Sequence, residues 1–155
     1  MINNDDKILL TKQGLENLRQ EFDRLNKRRP EIIERVEEAR QQGDLKENAE
    51  YQNSREELTF IDGRIEELKS VLERAEVADE NNGCQEVALG CKVTVGVNQD
   101  EHVYHLVGEW EADPMEKKIS HQSPLGKALM GKKIGQEVEV EVPAGKLNYK
   151  VLSID

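Results

Sequence analysis

Aromatic residues are scarce in this chain: one tryptophan, three tyrosines and two phenylalanines among 155 residues, 4% in all. Aromatic side chains supply much of the buried area of ordinary cores, so their scarcity argues against one large globular core. No run approaches the ~20 consecutive apolar residues needed to cross a bilayer. The start, Met1 to Lys7, lacks the basic-then-apolar order of a secretory leader. A soluble, cytoplasmic protein with no membrane partner is expected. Only two cysteines occur, Cys84 and Cys91. Their spacing permits a structural disulfide, but nothing else points to an oxidising compartment, so both are expected to be ordinary thiols.

A basic excess is missing too. The formal net charge is -10, and the acidity is spread over both halves. Phosphate neutralisation needs a concentrated basic face, so a general nucleic-acid binder is excluded and any work on nucleic acid must be local or indirect. What the chain does have is charge of both signs: Asp, Glu, Lys and Arg make up 35% of it. Such a composition suits long solvated helices.

The first half carries a helical period. Leu15, Leu18, Phe22, Leu25, Arg29, Ile32, Val36 and Ala39 recur at steps of three and four. So do Tyr51, Ser54, Leu58, Ile61, Ile65, Leu68, Leu72 and Ala75. These are two heptad seams, interrupted by Arg29 and Ser54. Paired as mirror images, from Ala39 with Tyr51 to Leu15 with Ala75, they share one centre at Leu45, as an antiparallel hairpin requires. Thr11 is placed to cap the first helix, with Leu10 and Leu15 as a hydrophobic staple. An arm from Leu15 to the apex would reach about 42 Å at the helical rise. Pro30 removes one helical hydrogen bond, so the coil is expected to loosen around Arg29 and Pro30 while keeping its register. Two shorter helices are the alternative.

After Ala75 the helical period ends. The sequence predicts a coiled-coil hairpin over 1–77 with its tip at 43–48, a linker or strand approach over 78–90, and a second domain over 84–155. Four β-rich runs follow, Cys91 to Val97, His102 to Gly108, Gln136 to Val142 and Leu147 to Ile154, with turns at Asn98 to Asp100 and Pro143 to Gly145. Ser123 caps a short helix with Pro124 at its first position and Gly131 just past its end. The fold class expected is α+β, with the hairpin followed by a small antiparallel sheet carrying one helix. His102 and His105 stand three apart in a strand and so point to opposite faces, which argues against a zinc site.

The chemistry is concentrated at the apex, Gly43-Asp44-Leu45-Lys46-Glu47-Asn48-Ala49-Glu50-Tyr51. Gly43 is suited to leave the first helix with positive φ. Two carboxylates three residues apart at a turn can converge on a hard cation such as Mg²⁺. Two ligands hold such an ion weakly, so a metal role for Asp44 and Glu47 means lending them to another protein's site. The competing reading makes Asp44 the N-cap of the second helix and Glu47 its capping-box partner.

This apex, with Glu38-Ala39-Arg40 before it and Arg55-Glu56 after it, resembles the signature of the GreA/GreB transcription elongation factors. Arg28-Arg29-Pro30-Glu31-Ile32-Ile33, Gly63-Arg64-Ile65, Ile119-Ser120, Ser123-Pro124 and Gly131-Lys132 resemble that family as well, so the likeness spans nearly the whole chain. The resemblance implies an accessory factor rather than an enzyme. Its coiled coil would enter the secondary channel of bacterial RNA polymerase, reach the 3′ end of the nascent RNA, and stimulate cleavage of the backtracked transcript. Asp44 and Glu47 match the family's two catalytic acids, which share the Mg²⁺ of the polymerase active site, no cofactor being stably bound. Gly43, Leu45, Lys46, Asn48, Tyr51 and Arg55 are the expected channel contacts, Arg55 being equally a solvated helix charge. The second domain is implied to be FKBP-like and to dock on the polymerase through Ser123 and Pro124, residues explained as well by helix capping. The acidic helices place the chain closer to the GreA branch, since Lys27, Arg28 and Arg35 make only a modest basic patch. It is expected to act as a monomer. A non-cleaving antagonist of the same channel is the alternative.

Overall fold

A computed structural model describes residues 7–43, 48–78 and 85–155. The elements run β1 (Ile8–Leu10), α1 (Lys12–Gln41), α2 (Ala49–Arg74), β2 (Ala75–Val77), β3 (Lys92–Val97), β4 (Asp100–Val107), β5 (Lys118–Ser120), α3 (Pro124–Leu129), β6 (Glu137–Val142) and β7 (Gly145–Ile154). Short 3₁₀ turns at Glu109–Glu111 and Pro114–Glu116 lie between β4 and β5. The α+β layout is the expected one. The chain divides into two compact units, Glu16–Arg74 and the remainder.

In the helical unit the seams fall where the period placed them. Leu18, Ile32 and Ala39 are buried on α1, as are Ser54, Ile61 and Leu68 on α2. Both seam interruptions are accommodated. The Arg29 guanidinium bonds both carboxylate oxygens of Asp62, one of them at 3.3 Å, and thus leaves the seam sideways. Ser54 is wholly buried, and its hydroxyl donates to the carbonyls of Glu50 at 2.8 Å and Tyr51 at 3.2 Å, so no polar atom is orphaned. Cross-helix ion pairs, Glu21 with Arg64 and Glu57 with both Arg28 and Arg35, join residues near mirror positions about the apex. Helix α1 runs unbroken through Pro30, which is exposed, and Leu18 and Ile32 are buried on either side. The two-helix alternative is thereby excluded.

One edge of the second seam departs from expectation. Val71 is buried while Leu72 is only half-buried, and Ala75, read as helical, opens strand β2. The apolar stripe there is wider than a strict heptad seam and includes the neighbouring position.

The other unit begins with the pairing of β1 and β2, a two-stranded parallel sheet in which Ile8 meets Ala75 and Leu10 meets Val77. Thr11 caps α1 as expected, its Oγ1 accepting from the Gly14 amide at 3.0 Å. Glu111 then secures this start. Its carboxylate accepts from the Thr11 amide at 2.8 Å, from the Thr11 hydroxyl, and from the Gly108 amide at 3.0 Å.

The main sheet has the order β5-β4-β3-β7-β6. The β3–β4, β3–β7 and β6–β7 pairings are antiparallel, as the expected antiparallel sheet requires, but β4 and β5 pair in parallel. The reason lies in the connection. Residues 108–117 fold into the two 3₁₀ turns, giving the roughly ten residues a parallel return needs. The β3–β4 turn has positive φ at both Asn98 (51°) and Gln99 (70°), the two-residue geometry that matches strand twist. Helix α3 packs on one face, where Leu129 joins Val93, Val95, Leu106, Tyr149 and Val151 in the core. Each such buried aliphatic side chain stabilises by about 1.5–3 kcal/mol relative to exposure. Cys84 lies outside the described residues. Cys91 is buried and disulfide-bonded, not the free thiol expected.

Candidate functional site

The apex is built from two helix ends. Helix α1 finishes at Gln41, and the Gln42 amide closes a tight last turn on the Ala39 carbonyl at 3.2 Å. Gly43 follows with φ of +141°, a conformation that a residue with a side chain rarely adopts. The glycine is therefore needed where the sequence placed it. Asp44, Leu45, Lys46 and Glu47 lie outside the described residues.

The chain is described again at Asn48, where the second helix takes its cap. Helix α2 begins at Ala49. Its N-cap is Asn48, whose Oδ1 accepts from the Tyr51 amide at 3.1 Å while its carbonyl accepts from the Gln52 amide at 3.1 Å. The reading of Asp44 as a cap falls outside the described residues, and the cap that α2 shows is Asn48. Tyr51 stands at the third helical position, where a capping box completed from Asn48 would need Glu or Gln.

Asn48 has a second bond, which the sequence did not announce. Its Nδ2 donates to the Ala39 carbonyl at 2.6 Å, nine residues back across the hairpin. Beyond the cap, Tyr51 is half-buried and Arg55 exposed. Arg55 lines a shallow depression of about 250 Å³ with Gln52, Glu56 and Thr59, and among the described residues its guanidinium makes no ion pair.

Lower on the hairpin the charges are paired. Arg64 grips Glu21 with two bonds, Nε to Oε1 at 2.8 Å and Nη2 to Oε2 at 3.1 Å. The guanidinium hydrogen bonds hold the Glu21 carboxyl below the usual carboxylate range against an opposing desolvation, and Glu21 in turn raises Arg64. Arg28 and Arg35 both turn toward Glu57. Two of the three cations counted for a basic patch are therefore partly neutralised.

In the sheet unit, Ser123 caps α3. Its Oγ accepts from the Gly126 amide at 3.0 Å and donates to the Ser120 carbonyl at 2.6 Å. Pro124 follows at the first helical position with its ring exposed. The hydroxyl is committed within the fold, whereas the proline ring faces solvent. Among the described residues, no three His, Cys, Asp or Glu side chains gather as a metal cluster, and no helix is long and apolar enough to cross a membrane.

A charged helical hairpin joined to a small sheet unit is the architecture of a class of transcription elongation factors, and comparison with known proteins agrees. Residues 8–77 match the family described as transcription elongation factor, N-terminal, and residues 81–155 match transcription elongation factor, GreA/GreB, C-term. The chain belongs to the GreA/GreB transcription elongation factor family. It is 45% identical to transcription elongation factor GreA of Caldanaerobacter subterraneus subsp. tengcongensis, over 95% of this chain and 96% of that protein. It is 48% identical to GreA of Thermodesulfovibrio yellowstonii, over 96% of this chain and 97% of that one. Among solved structures, GreA factor homolog 1 of Thermus thermophilus aligns with a TM-score of 0.46 at 29% identity, covering 96% of this chain and 99% of that one. The two family matches and the two GreA relatives make the protein a transcription elongation factor of the GreA type.

Proposed function

We propose that this factor binds bacterial RNA polymerase in the cytoplasm, as a monomer, and stimulates the polymerase's own cleavage of backtracked nascent RNA. The observation that carries the reading is the cap of α2. Asn48 supplies the side-chain cap of α2, and Asp44 and Glu47 stand between the two helix ends in the sequence, where two acids suit another task. Their chemistry suits it, because paired carboxylates supply the oxygen ligands that Mg²⁺ prefers. The ion belongs to the polymerase, and this chain holds no cofactor of its own.

In this reading Asp44 and Glu47 complete the oxygen shell of that ion and orient the attacking water. The ion, when bound, supplies a lowered water pKa and neutralises charge on the phosphodiester. Gly43, Leu45, Lys46 and Tyr51 contact the walls of the secondary channel. Arg55, exposed and without an acid partner among the described residues, faces the RNA 3′ end or a polymerase loop. Pro124, at the surface of the sheet unit, meets the polymerase at the channel rim, with Ser123 holding the turn that presents it.

The test is transcript cleavage by purified backtracked complexes in Mg²⁺, with native protein and an Asp44→Asn, Glu47→Gln double variant. The native protein should accelerate 3′ cleavage, and the variant should bind equally while losing roughly 100-fold or more of the stimulation. Native protein that binds without stimulating would instead identify a non-cleaving occupant of the channel.

A further inference from the structure

Asn48 does more than a helix cap requires. Asp, Ser and Thr cap helices about as well as Asn, but none of them pairs an acceptor with an amide donor at the far side of the same group. Here both ends are used: Oδ1 faces the Tyr51 amide at 3.1 Å, and Nδ2 faces the Ala39 carbonyl at 2.6 Å. The orientation of the carboxamide is fixed by its partners, since an amide nitrogen only donates and a carbonyl only accepts. Ala39 belongs to the last turn of α1, and its carbonyl, which accepts from the Gln42 amide at 3.2 Å, takes the Asn48 amide on its second lone pair. One side chain thus satisfies the end of one helix and the start of the next.

The sequence around it makes this reach possible. Two seam positions close to the apex, Ala39 and Ser54, are small and buried, and small residues let two helix backbones approach closely beside the half-buried Tyr51. Ser54 directs its hydroxyl to its own helix and so leaves the Ala39 carbonyl to Asn48 and Gln42. Asn48 is itself only half exposed, which limits competition from water.

We infer that Asn48, both ends of whose carboxamide are committed within the fold, is a positioning residue and not the channel contact the resemblance implied. It is a clasp that fixes the separation of the two helix ends between which Asp44 and Glu47 stand in the chain. This rests on the cleavage reading given above. A segment tied at both ends has less freedom to lose when its carboxylates converge on an ion, so the clasp contributes to the rate of the bound complex and not to binding of the polymerase.

Two substitutions separate the clasp from the cap. Asn48→Ser and Asn48→Asp each keep a capping oxygen and remove the amide donor, and only the second adds charge. With backtracked polymerase complexes, the cleavage rate at saturating factor, the factor concentration at half-saturation and the Mg²⁺ concentration for half-maximal rate are measured, alongside thermal unfolding of each variant. The expected result is an unchanged half-saturation, an unfolding midpoint lowered by no more than one hydrogen bond is worth, a maximal rate lower by roughly 2–10-fold, and a raised Mg²⁺ requirement in the serine variant. Variants that cleave like the native protein at every Mg²⁺ concentration overturn the clasp while leaving the cleavage reading standing. Variants that lose stability and half-saturation in proportion to rate make Asn48 a structural cap only, which also overturns it. Native protein that leaves cleavage at the polymerase's unaided rate overturns the cleavage reading, and the positioning role falls with it.

Discussion

Single residues decide the turn that presents Pro124. Ser120, Ser123 and Gly126 form a knot in which the Ser123 hydroxyl bridges the Ser120 carbonyl and the Gly126 amide. A Cβ built on Gly126 would lie 2.0 Å from the Ser120 carbonyl oxygen and 2.9 Å from the Ser123 Oγ. Backbone cannot move aside as a flexible side chain can, so Gly126→Ala should destabilise the protein by about 1–3 kcal/mol, read by denaturant unfolding. The same scale shows why the sequence was ambiguous at the apex. Asp44 and Glu47 have the spacing of a capping box, and Asn48 with Tyr51 does not, so local pattern gives no sign of the cap that α2 uses. That cap emerges only where α2 begins, and the bond from Asn48 to Ala39 depends on a helix separation that no local pattern encodes.

At the scale of elements, the hairpin combines an apolar seam with flanking ion pairs, and the pair of Glu21 with Arg64 gives a measurable signature. Because the folded carboxyl of Glu21 lies below its unfolded value, its contribution is fully present above the unfolded pKa of roughly 4.3 and is lost as pH falls through the folded value. The side chains are partly exposed, so the pair is worth at most about 1 kcal/mol. Glu21→Gln should therefore destabilise the helices modestly at pH 7 and flatten the dependence of unfolding on pH in the acid range, followed by circular dichroism. The helices were legible in advance because their period persists over eight positions each and the two seams mirror one another. Strands β1, β2 and β5 were not. Three residues apiece give too little alternation to distinguish a strand from a loop, and their pairings are set by the long connections that bring them together. The parallel return of β5 depends in the same way on the two 3₁₀ turns, which carry no periodic signal.

For the whole molecule, the net charge of -10 sets what the factor can bind unaided. The acidic excess repels a phosphate backbone, and Arg28 and Arg35 are already engaged by Glu57. Labelled RNA titrated with the protein at physiological salt should bind with a Kd no tighter than roughly 10⁻⁴ M by fluorescence anisotropy, the weak end of non-specific association. Recognition of the transcript then depends on the polymerase, as the cleavage reading requires. The parallel pairing of Ile8 with Ala75 and Leu10 with Val77 has a consequence for the order in which the chain acquires its structure. Parallel neighbours cannot be joined by a tight turn, and the crossover that joins these two is the entire helical hairpin. Loop-closure entropy therefore predicts that β2 pairs with β1 after the helices have formed, since helix contacts shorten the loop that the strands must close. Slower pairing of the helices should then delay this sheet, so a change near Ala39 or Ser54 should be felt in the refolding kinetics of strands that neither residue touches.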